Sequence, residues 1–256
     1  MNIRIEPIPA FKDNYIWCLR RDAHAVVVDP GEAQPVLDYL QSEQLTLCAI
    51  LCTHHHADHV GGVAQLLSKH RSVPVYGPST ERIATLTAPV NEGDRVDIPE
   101  LGIQFDVLDI PGHTAGHIAY YGGKVLFCGD TLFACGCGRV FEGTSKQMWQ
   151  SLSKMASLPD DTAVYCGHEY TLANIRFALA VEPDAPELLS WFDQASKQRR
   201  QSLPTLPSTI GRERSANPFL RADQPAVTQA ASKHLGKELR DPVDVFAALR
   251  EWKNTF

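Results

Sequence analysis

Four of the metal-type side chains in one six-residue stretch of this chain could act together. They are His54, His56, Asp58 and His59, in the run Thr53-His54-His55-His56-Ala57-Asp58-His59. Imidazole nitrogen and carboxylate oxygen are ligands that Zn, Fe and Mn accept. If the backbone is still extended here, side chains 54, 56 and 58 point one way and 55 and 57 the other. His59 then swings round with the first turn of a helix. One mononuclear site does not easily use all four groups from one tight turn, so the spacing suggests two adjacent metals. The plain alternative is a solvated histidine-rich loop, since motif matches alone carry false positives.

Three further candidates sit where short apolar runs end: Pro111-Gly112-His113-Thr114-Ala115-Gly116-His117, Gly129-Asp130-Thr131 and Cys166-Gly167-His168-Glu169-Tyr170. Each places His or Asp beside glycine, which lets backbone come close to a site. Any one alone is weak; together with the central run they argue against a solvated loop. Asp29 closes another buried run, where its carboxylate either braces the metal loop or caps a turn. Cys135-Gly136-Cys137, without a second pair, is a weak metal or redox signal.

The elements that must hold these groups can be read in outline. The apolar run Ala49-Ile50-Leu51-Cys52 reads as a buried strand, and residues 60–70 as a helix burying Val60, Val63, Ala64 and Leu67. Residues 3–8, 15–19, 25–28, 73–76, 95–98, 103–108, 118–121, 124–128 and 163–165 read as strands, and a helix runs through Val36, Leu37 and Leu40. Two packed sheets covered by helices follow from that order. From Tyr170 the character becomes helical. Leu188, Trp191, Phe192 and Ala195 share one face, and a last helix starts at Asp241-Pro242 and buries Val245, Ala248, Leu249 and Trp252. Arg250 and Lys253 lie on a neighbouring face, three apart, where a solvated charged face is the plain reading.

The chain has 256 residues, 44% hydrophobic, with a net charge of -6. That is enough for one large domain, or one domain with a smaller partner. The acidic balance argues against a nucleic-acid binder. Residues 1–170 carry 12 Lys+Arg against 20 Asp+Glu, and residues 171–256 carry 12 against 10, so the tail is the positive part and suits an anionic ligand. Seven cysteines, mostly in apolar runs, read as reduced core residues. No run approaches the ~18 apolar residues of a membrane span, and the start lacks a signal peptide's pattern, so a soluble cytoplasmic protein is expected.

The order H-x-H-x-D-H, a Gly-flanked His, a Gly-Asp and a final His resembles the metallo-β-lactamase fold hydrolases. Within them, Asp13-Asn14-Tyr15, Gly129-Asp130-Thr131-Leu132-Phe133, Gly136-Cys137-Gly138-Arg139, Phe141-Glu142-Gly143-Thr144, Cys166-Gly167-His168-Glu169-Tyr170-Thr171 and Asn217-Pro218-Phe219-Leu220-Arg221 are similar to the glyoxalase II, or hydroxyacylglutathione hydrolase, family. The resemblance implies an α+β fold: a four-layer αββα sandwich over residues 1–169, then a small α-helical domain over 170–256 that binds glutathione. It implies His54, His56 and His113 on one metal, Asp58, His59 and His168 on the other, and Asp130 bridging both. His117 and His55 fall outside this set. It further implies that Arg139, Phe141, Tyr170, Arg250 and Lys253 receive glutathione; many relatives have Lys where Arg139 stands and Tyr where Phe141 stands.

The implied reaction is hydrolysis of S-2-hydroxyacylglutathione, chiefly S-lactoylglutathione, to glutathione and lactate in methylglyoxal detoxification. Two divalent metals per chain, Zn first with Fe or Mn as alternatives, would supply a nucleophile from water and polarise the carbonyl. Asp58 is expected to orient that nucleophile. The partner is a small-molecule thioester acted on by a monomer, with no nucleic acid and no membrane. Alternatives are another hydrolase of the same fold (lactonase, β-lactamase or nuclease), a persulfide dioxygenase, or a non-catalytic metal-binding module.

Overall fold

The computed structural model describes residues 3–256; Met1 and Asn2, at the start expected to lack a signal pattern, lie outside the described residues. By packing, the chain divides into two compact units. Unit 1 is residues 1–109 with 114–129, and unit 2 is residues 110–113 with 130–256.

Unit 1 begins with β1 (Arg4–Ala10), β2 (Asn14–Arg21) and β3 (His24–Val28), paired antiparallel in that order. After α1 (Ala33–Ser42) the chain returns as β4 (Thr46–Leu51), parallel to β3. Then come α2 (Ala57–Val60), α3 (Val63–Lys69), β5 (Val75–Pro78) and β6 (Ala88–Val90), with β4, β5 and β6 parallel. In this mixed sheet the inner strands β2, β3 and β4 are mostly buried on both faces, as parallel strands usually are, while the edge strand β1 is partly exposed. Cys18, Val27 and Ile50 pack with Val36 and Leu40 of α1 and Val63 and Leu66 of α3. Trp17, Leu19, Val26, Val28 and Leu51 are buried as well.

The second sheet of unit 1 is antiparallel: β7 (Arg95–Ile98), β8 (Ile103–Asp109), β9 (Ile118–Gly122) and β10 (Val125–Gly129). Phe105, Tyr120 and Phe127 fill its interior in edge-on contact. The Tyr120 hydroxyl donates to the Cys52 carbonyl at 3.0 Å, tying this sheet to the end of β4.

The helix expected over 60–70 is two helices. Gly61 and Gly62, poor helix formers, interrupt it. The buried face of α3 is Val63 and Leu66, with Val60 and Leu67 partly buried and Ala64 exposed. The break lets α2 point His59 inward independently of α3.

Unit 2 opens with a small hairpin, β11 (Leu132–Phe133) and β12 (Gly136–Cys137). It continues with α4 (Ser145–Ala156), started by a Thr144/Gln147 capping box, and β13 (Ala163–Cys166). Next come α5 (Thr171–Val181), α6 (Pro186–Arg200), β14 (Ser208–Thr209) paired antiparallel with β13, and α7 (Ile210–Ala216). A 3-10 turn (Pro218–Leu220), α8 (Pro225–Leu235) and α9 (Pro242–Thr255) end the chain. Asp241 caps α9 as expected, its carboxylate accepting from Val243 N at 2.7 Å. The buried stripe of α9 differs from expectation: Phe246 and Arg250 are buried, while Ala248 and Trp252 are only partly covered. Phe219 stacks with Phe177 and meets Phe246 edge-on, so the aromatic cluster of the tail draws the 246 position inward. This packing boundary differs from the division into domains expected at residues 169 and 170.

Glu213 of α7 is completely buried, and its carboxyl is pushed up to about 7, chiefly by burial. A native pKa above the ordinary 4.5 means the folded state holds a proton that the unfolded chain has lost. Stability is therefore greatest below pH 4.5 for this group and falls as pH rises through 7, by about 3 kcal/mol. Denaturation midpoints measured from pH 4.5 to 8 should show this decline in the wild type and not in Glu213→Gln; parallel curves for the two proteins would contradict it.

Candidate metal centre and ligand cavity

In unit 1 the loop after β4 is organised by Asp29. Its Oδ1 accepts from Thr53 N at 2.7 Å, and its Oδ2 accepts from Thr53 Oγ1 at 2.7 Å and from His59 Nδ1 at 3.0 Å. Of the two readings open for Asp29, the brace is the one observed. The Thr53 hydroxyl has a single proton, given to Asp29, so His54 Nδ1, 3.0 Å from Thr53 Oγ1, must be the donor of that pair. His54 and His59 both spend Nδ1–H on this network. Each is thereby left with a lone pair on Nε2, the form a metal ligand needs.

His54 Nε2 lies 3.1 Å from His56 Nδ1, so two ring nitrogens converge on one point. His59 Nε2 is 3.5 Å from Asp58 Oδ2, and the Asn14 amide donates to that same oxygen at 3.0 Å. Asp29, His54 and His59 present ligand-type atoms all within 4.8 Å of one another. Since Thr53 and His59 already hold the oxygens of Asp29, its part is to orient. Gly31 is needed beneath the loop: a Cβ there would sit 1.9 Å from the Asp58 carbonyl oxygen.

The two histidines of these runs that fall outside the expected ligand set have partners of their own. His55 Nδ1 meets Glu81 Oε2 at 2.9 Å. His117 is buried, pairs its Nδ1 with the Ile118 carbonyl at 3.0 Å, and stacks on His54 at 4.5 Å. Its place is thus against the His54 ring.

Unit 2 holds the other candidates. His113 Nδ1 donates to the Arg139 carbonyl at 2.8 Å, which again leaves Nε2 as the lone-pair nitrogen. Asp130 Oδ2 lies 3.5 Å from His113 Nε2 and 3.3 Å from His168 Nε2, so one carboxylate oxygen sits near two imidazoles. His168 stacks flat on Tyr170 at 4.7 Å and meets Phe133 edge-on. Gly138 permits the close pass of the chain, since a Cβ there would lie 1.9 Å from the Asp130 carbonyl oxygen.

These groups open onto a cavity of about 370 Å³ within unit 2. His113 and Asp130 line it together with Arg139, Phe141, Tyr170, Arg250 and Lys253. All five residues expected to bind substrate therefore share one space. Phe141 is largely exposed and packs on His113 at 5.3 Å. Arg250, for which a solvated face was the plain reading, is 93% covered and donates to the Cys137 carbonyl at 2.8 Å. Lys253 lies over the Phe177 ring, and its ammonium is pushed down to about 8, first by burial and then by the Arg250 charge. Burial likewise raises the thiols of Cys135 and Cys137, consistent with reduced, inert cysteines and against a redox pair.

Sequence reasoning assigned no role to Asn14 or Thr53, or to Phe133, Cys137, Ala173 and Asn174, which also line the cavity. Asn14 stood in the Asp13-Asn14-Tyr15 run, which was the available signal. Thr53, Phe133 and Cys137 likewise stood in motif runs, whereas Ala173 and Asn174 carried no signal, and the Asn174 side chain acts on a carbonyl 40 residues away.

Residues 11–168 match the family described as Metallo-beta-lactamase superfamily, and residues 169–256 match that described as Hydroxyacylglutathione hydrolase C-terminus. A hydroxyacylglutathione hydrolase of Nitrosomonas eutropha is 56% identical over 254 residues, 99% of this chain and 99% of the relative. The chain belongs to the hydroxyacylglutathione hydrolase family. A further hydroxyacylglutathione hydrolase, from Vibrio parahaemolyticus, is 53% identical over 99% of this chain and 100% of its own. Among solved structures, TTHA1623 in a di-iron-bound form is 27% identical with a TM-score of 0.59, covering 84% of this chain and 100% of its own. The fold is thus that of the metallo-β-lactamase superfamily with a C-terminal helical region, and its His/Asp cluster is suited to divalent metal.

In this member of the hydroxyacylglutathione hydrolase family, the Asp29 hydrogen bonds to Thr53 and His59 generate an expectation. Asp29→Ala should weaken metal retention by roughly 10 to 100-fold while the fold persists. Competition with a chelator, followed by elemental analysis, measures this; wild-type retention in the variant would remove Asp29 from the metal site.

Proposed function

We propose that this protein hydrolyses S-2-hydroxyacylglutathione, S-lactoylglutathione first among them, to glutathione and a 2-hydroxy acid. The observation that carries the reading is the unit 2 cavity, which has His113 and Asp130 in its lining along with Arg139, Arg250 and Lys253. Such a space receives a ligand with anionic groups to fix and a reactive carbonyl to present, and glutathione thioesters have both. A lactone or β-lactam substrate gives no comparable use for the three cations. The names of the relatives point to the same substrate class.

The assignment of roles follows the family resemblance. Two divalent ions per chain, zinc with iron and manganese as alternatives, would use His54, His56 and His113 as one set and Asp58, His59 and His168 as the other, with Asp130 common to both. The donor chemistry fits, since Nδ1 of His54, His59 and His113 is already bonded and Nε2 remains as ligand. When bound, such ions polarise a carbonyl and make water nucleophilic near neutral pH. Asp58, whose Oδ2 accepts from Asn14, would orient the attacking water. The departing thiol has a pKa of about 8.5 and leaves as thiolate, so no protein acid is required. Arg250 and Lys253 bind; they perform no chemistry.

The proposal includes the division into residues 1–169 for metal and 170–256 for glutathione. It also includes a monomer in the cytoplasm serving methylglyoxal detoxification. The deciding experiment is thioester loss with S-lactoylglutathione, run beside a lactone and a β-lactam, with elemental analysis of the same sample. No thioester turnover from metal-replete protein sinks the substrate reading, and one equivalent in a fully active sample sinks the dinuclear one.

Lys253 gives a second expectation. As pH rises through about 8 it loses its charge, so KM should climb above that pH with kcat little changed. Lys253→Ala should raise KM about tenfold at pH 7, the scale of one charge-assisted hydrogen bond. Lys253→Arg should keep KM low and level to pH 9; a wild-type KM that stays flat across pH 8 would contradict the assignment.

A further inference from the structure

The hairpin at residues 132–137 carries three parts of the cavity. Phe133 meets the rings of His168 and Tyr170, the Cys137 carbonyl receives Arg250, and Asp130 lies two residues before its first strand. It is only two residues per strand, and its turn residue Cys135 has φ +57, a left-handed conformation that non-glycine residues seldom take. Such a turn persists only where its surroundings hold it.

The surroundings here are a buried polar clamp. The Glu213 carboxylate accepts from Cys135 N at 2.8 Å and from Asn217 Nδ2 at 2.9 Å, and Ser208 Oγ donates to its other oxygen. Asn217 Nδ2 also donates to the Gly136 carbonyl at 2.9 Å, and Asn174 Nδ2 donates to the Ala134 carbonyl at 3.0 Å. The amide and carbonyls of the turn are thus satisfied by side chains from α5, α7 and the turn after α7. Glu213 and Asn217 have no exposed surface, and neither lines the cavity. Burying a carboxylate without a cation in hydrogen-bond contact is costly, so its retention under this turn calls for a reason other than stability.

We propose that Glu213, with Asn217, is a positioning residue for the substrate cavity, holding the 132–137 hairpin so that the Cys137 carbonyl fixes the Arg250 guanidinium where an anionic ligand group is received. This rests on the reading of that cavity as the glutathione site. The geometry is specific: the carboxylate grips the turn at Cys135, Asn217 grips the next residue, and Arg250 is held by the one after.

The test uses the metal-replete full chain, with KM and kcat for S-lactoylglutathione, binding of S-hexylglutathione by calorimetry, and metal content. Glu213→Ala and Asn217→Ala should each raise KM at least fivefold and weaken S-hexylglutathione binding in step, with kcat within about twofold and metal content unchanged. Glu213→Gln keeps an acceptor for Cys135 N and should restore KM to within twofold of wild type. Thr209→Ala removes the cap that accepts from Arg212 N at 3.2 Å, weakening the same α7 without touching the hairpin, and should leave KM unmoved. Should Glu213→Ala fail to fold, Asn217→Ala decides. The inference is overturned if Asn217→Ala keeps wild-type KM, if kcat or metal content falls as far as KM rises, or if Thr209→Ala raises KM equally. A wild type that leaves S-lactoylglutathione intact overturns the functional reading instead, and S-hexylglutathione binding would still report on the clamp.

Discussion

Unit 1 is built so that one buried carboxylate can set two histidines. Asp29 leaves β3 with φ +53, donates its own N–H to the Leu51 carbonyl at 2.9 Å, and turns its side chain across to Thr53. Neither a carboxylate nor an imidazole is placed accurately by an exposed loop. Here both lie at the ends of adjacent parallel strands that are mostly buried on both faces, where backbone movement would break the ladder between β3 and β4. The rigidity of the sheet becomes the orientation of His54 and His59. Removing Asp29 would take the acceptor from His59 Nδ1–H and leave the Thr53 hydroxyl free to donate to His54 instead, so both tautomers would compete at each ring.

Unit 2 solves the same problem with less regular structure. Its hairpin is too short to hold itself, and most of its polar groups are satisfied from outside by Glu213, Asn217 and Asn174. The left-handed turn at Cys135 and the buried carboxyl beneath it, hydrogen-bonded but facing no ion-pair partner, sit beside a well-packed aromatic core around Phe177 and Phe219. Arg250 shows how that core serves binding. Its guanidinium lies over the Phe219 ring at 5.1 Å and against the Cys137 carbonyl, so a long flexible side chain is ordered before any ligand arrives. Lys253, over Phe177, is held in the same way and is depressed in pKa by the same burial.

Much of the metal loop was legible in the amino-acid sequence because ligand chemistry restricts residue type. Imidazole and carboxylate are common ligands of divalent metals, and the spacing of His54, His56, Asp58 and His59 after one strand, with His113, Asp130 and His168 after others, marked them as candidates. The helical tail and the cap at Asp241 were legible from periodicity and local capping, both short-range effects. The single helix expected over 60–70 was wrong because two adjacent glycines outweighed an apolar period that tolerates several registers.

What only the tertiary structure decided are the places where partners are far apart in sequence. Asp29 as brace rather than cap, Arg250 as buried rather than solvated, and Glu213 beneath a turn 78 residues away each depend on which backbone amide or carbonyl arrives beside them. No residue type announces such an acceptor, since every residue but proline carries the same amide and carbonyl. Composition and spacing by themselves determined which groups could hold a metal. The packing of distant segments determined, for His54, His59 and His113, which ring nitrogen keeps the lone pair.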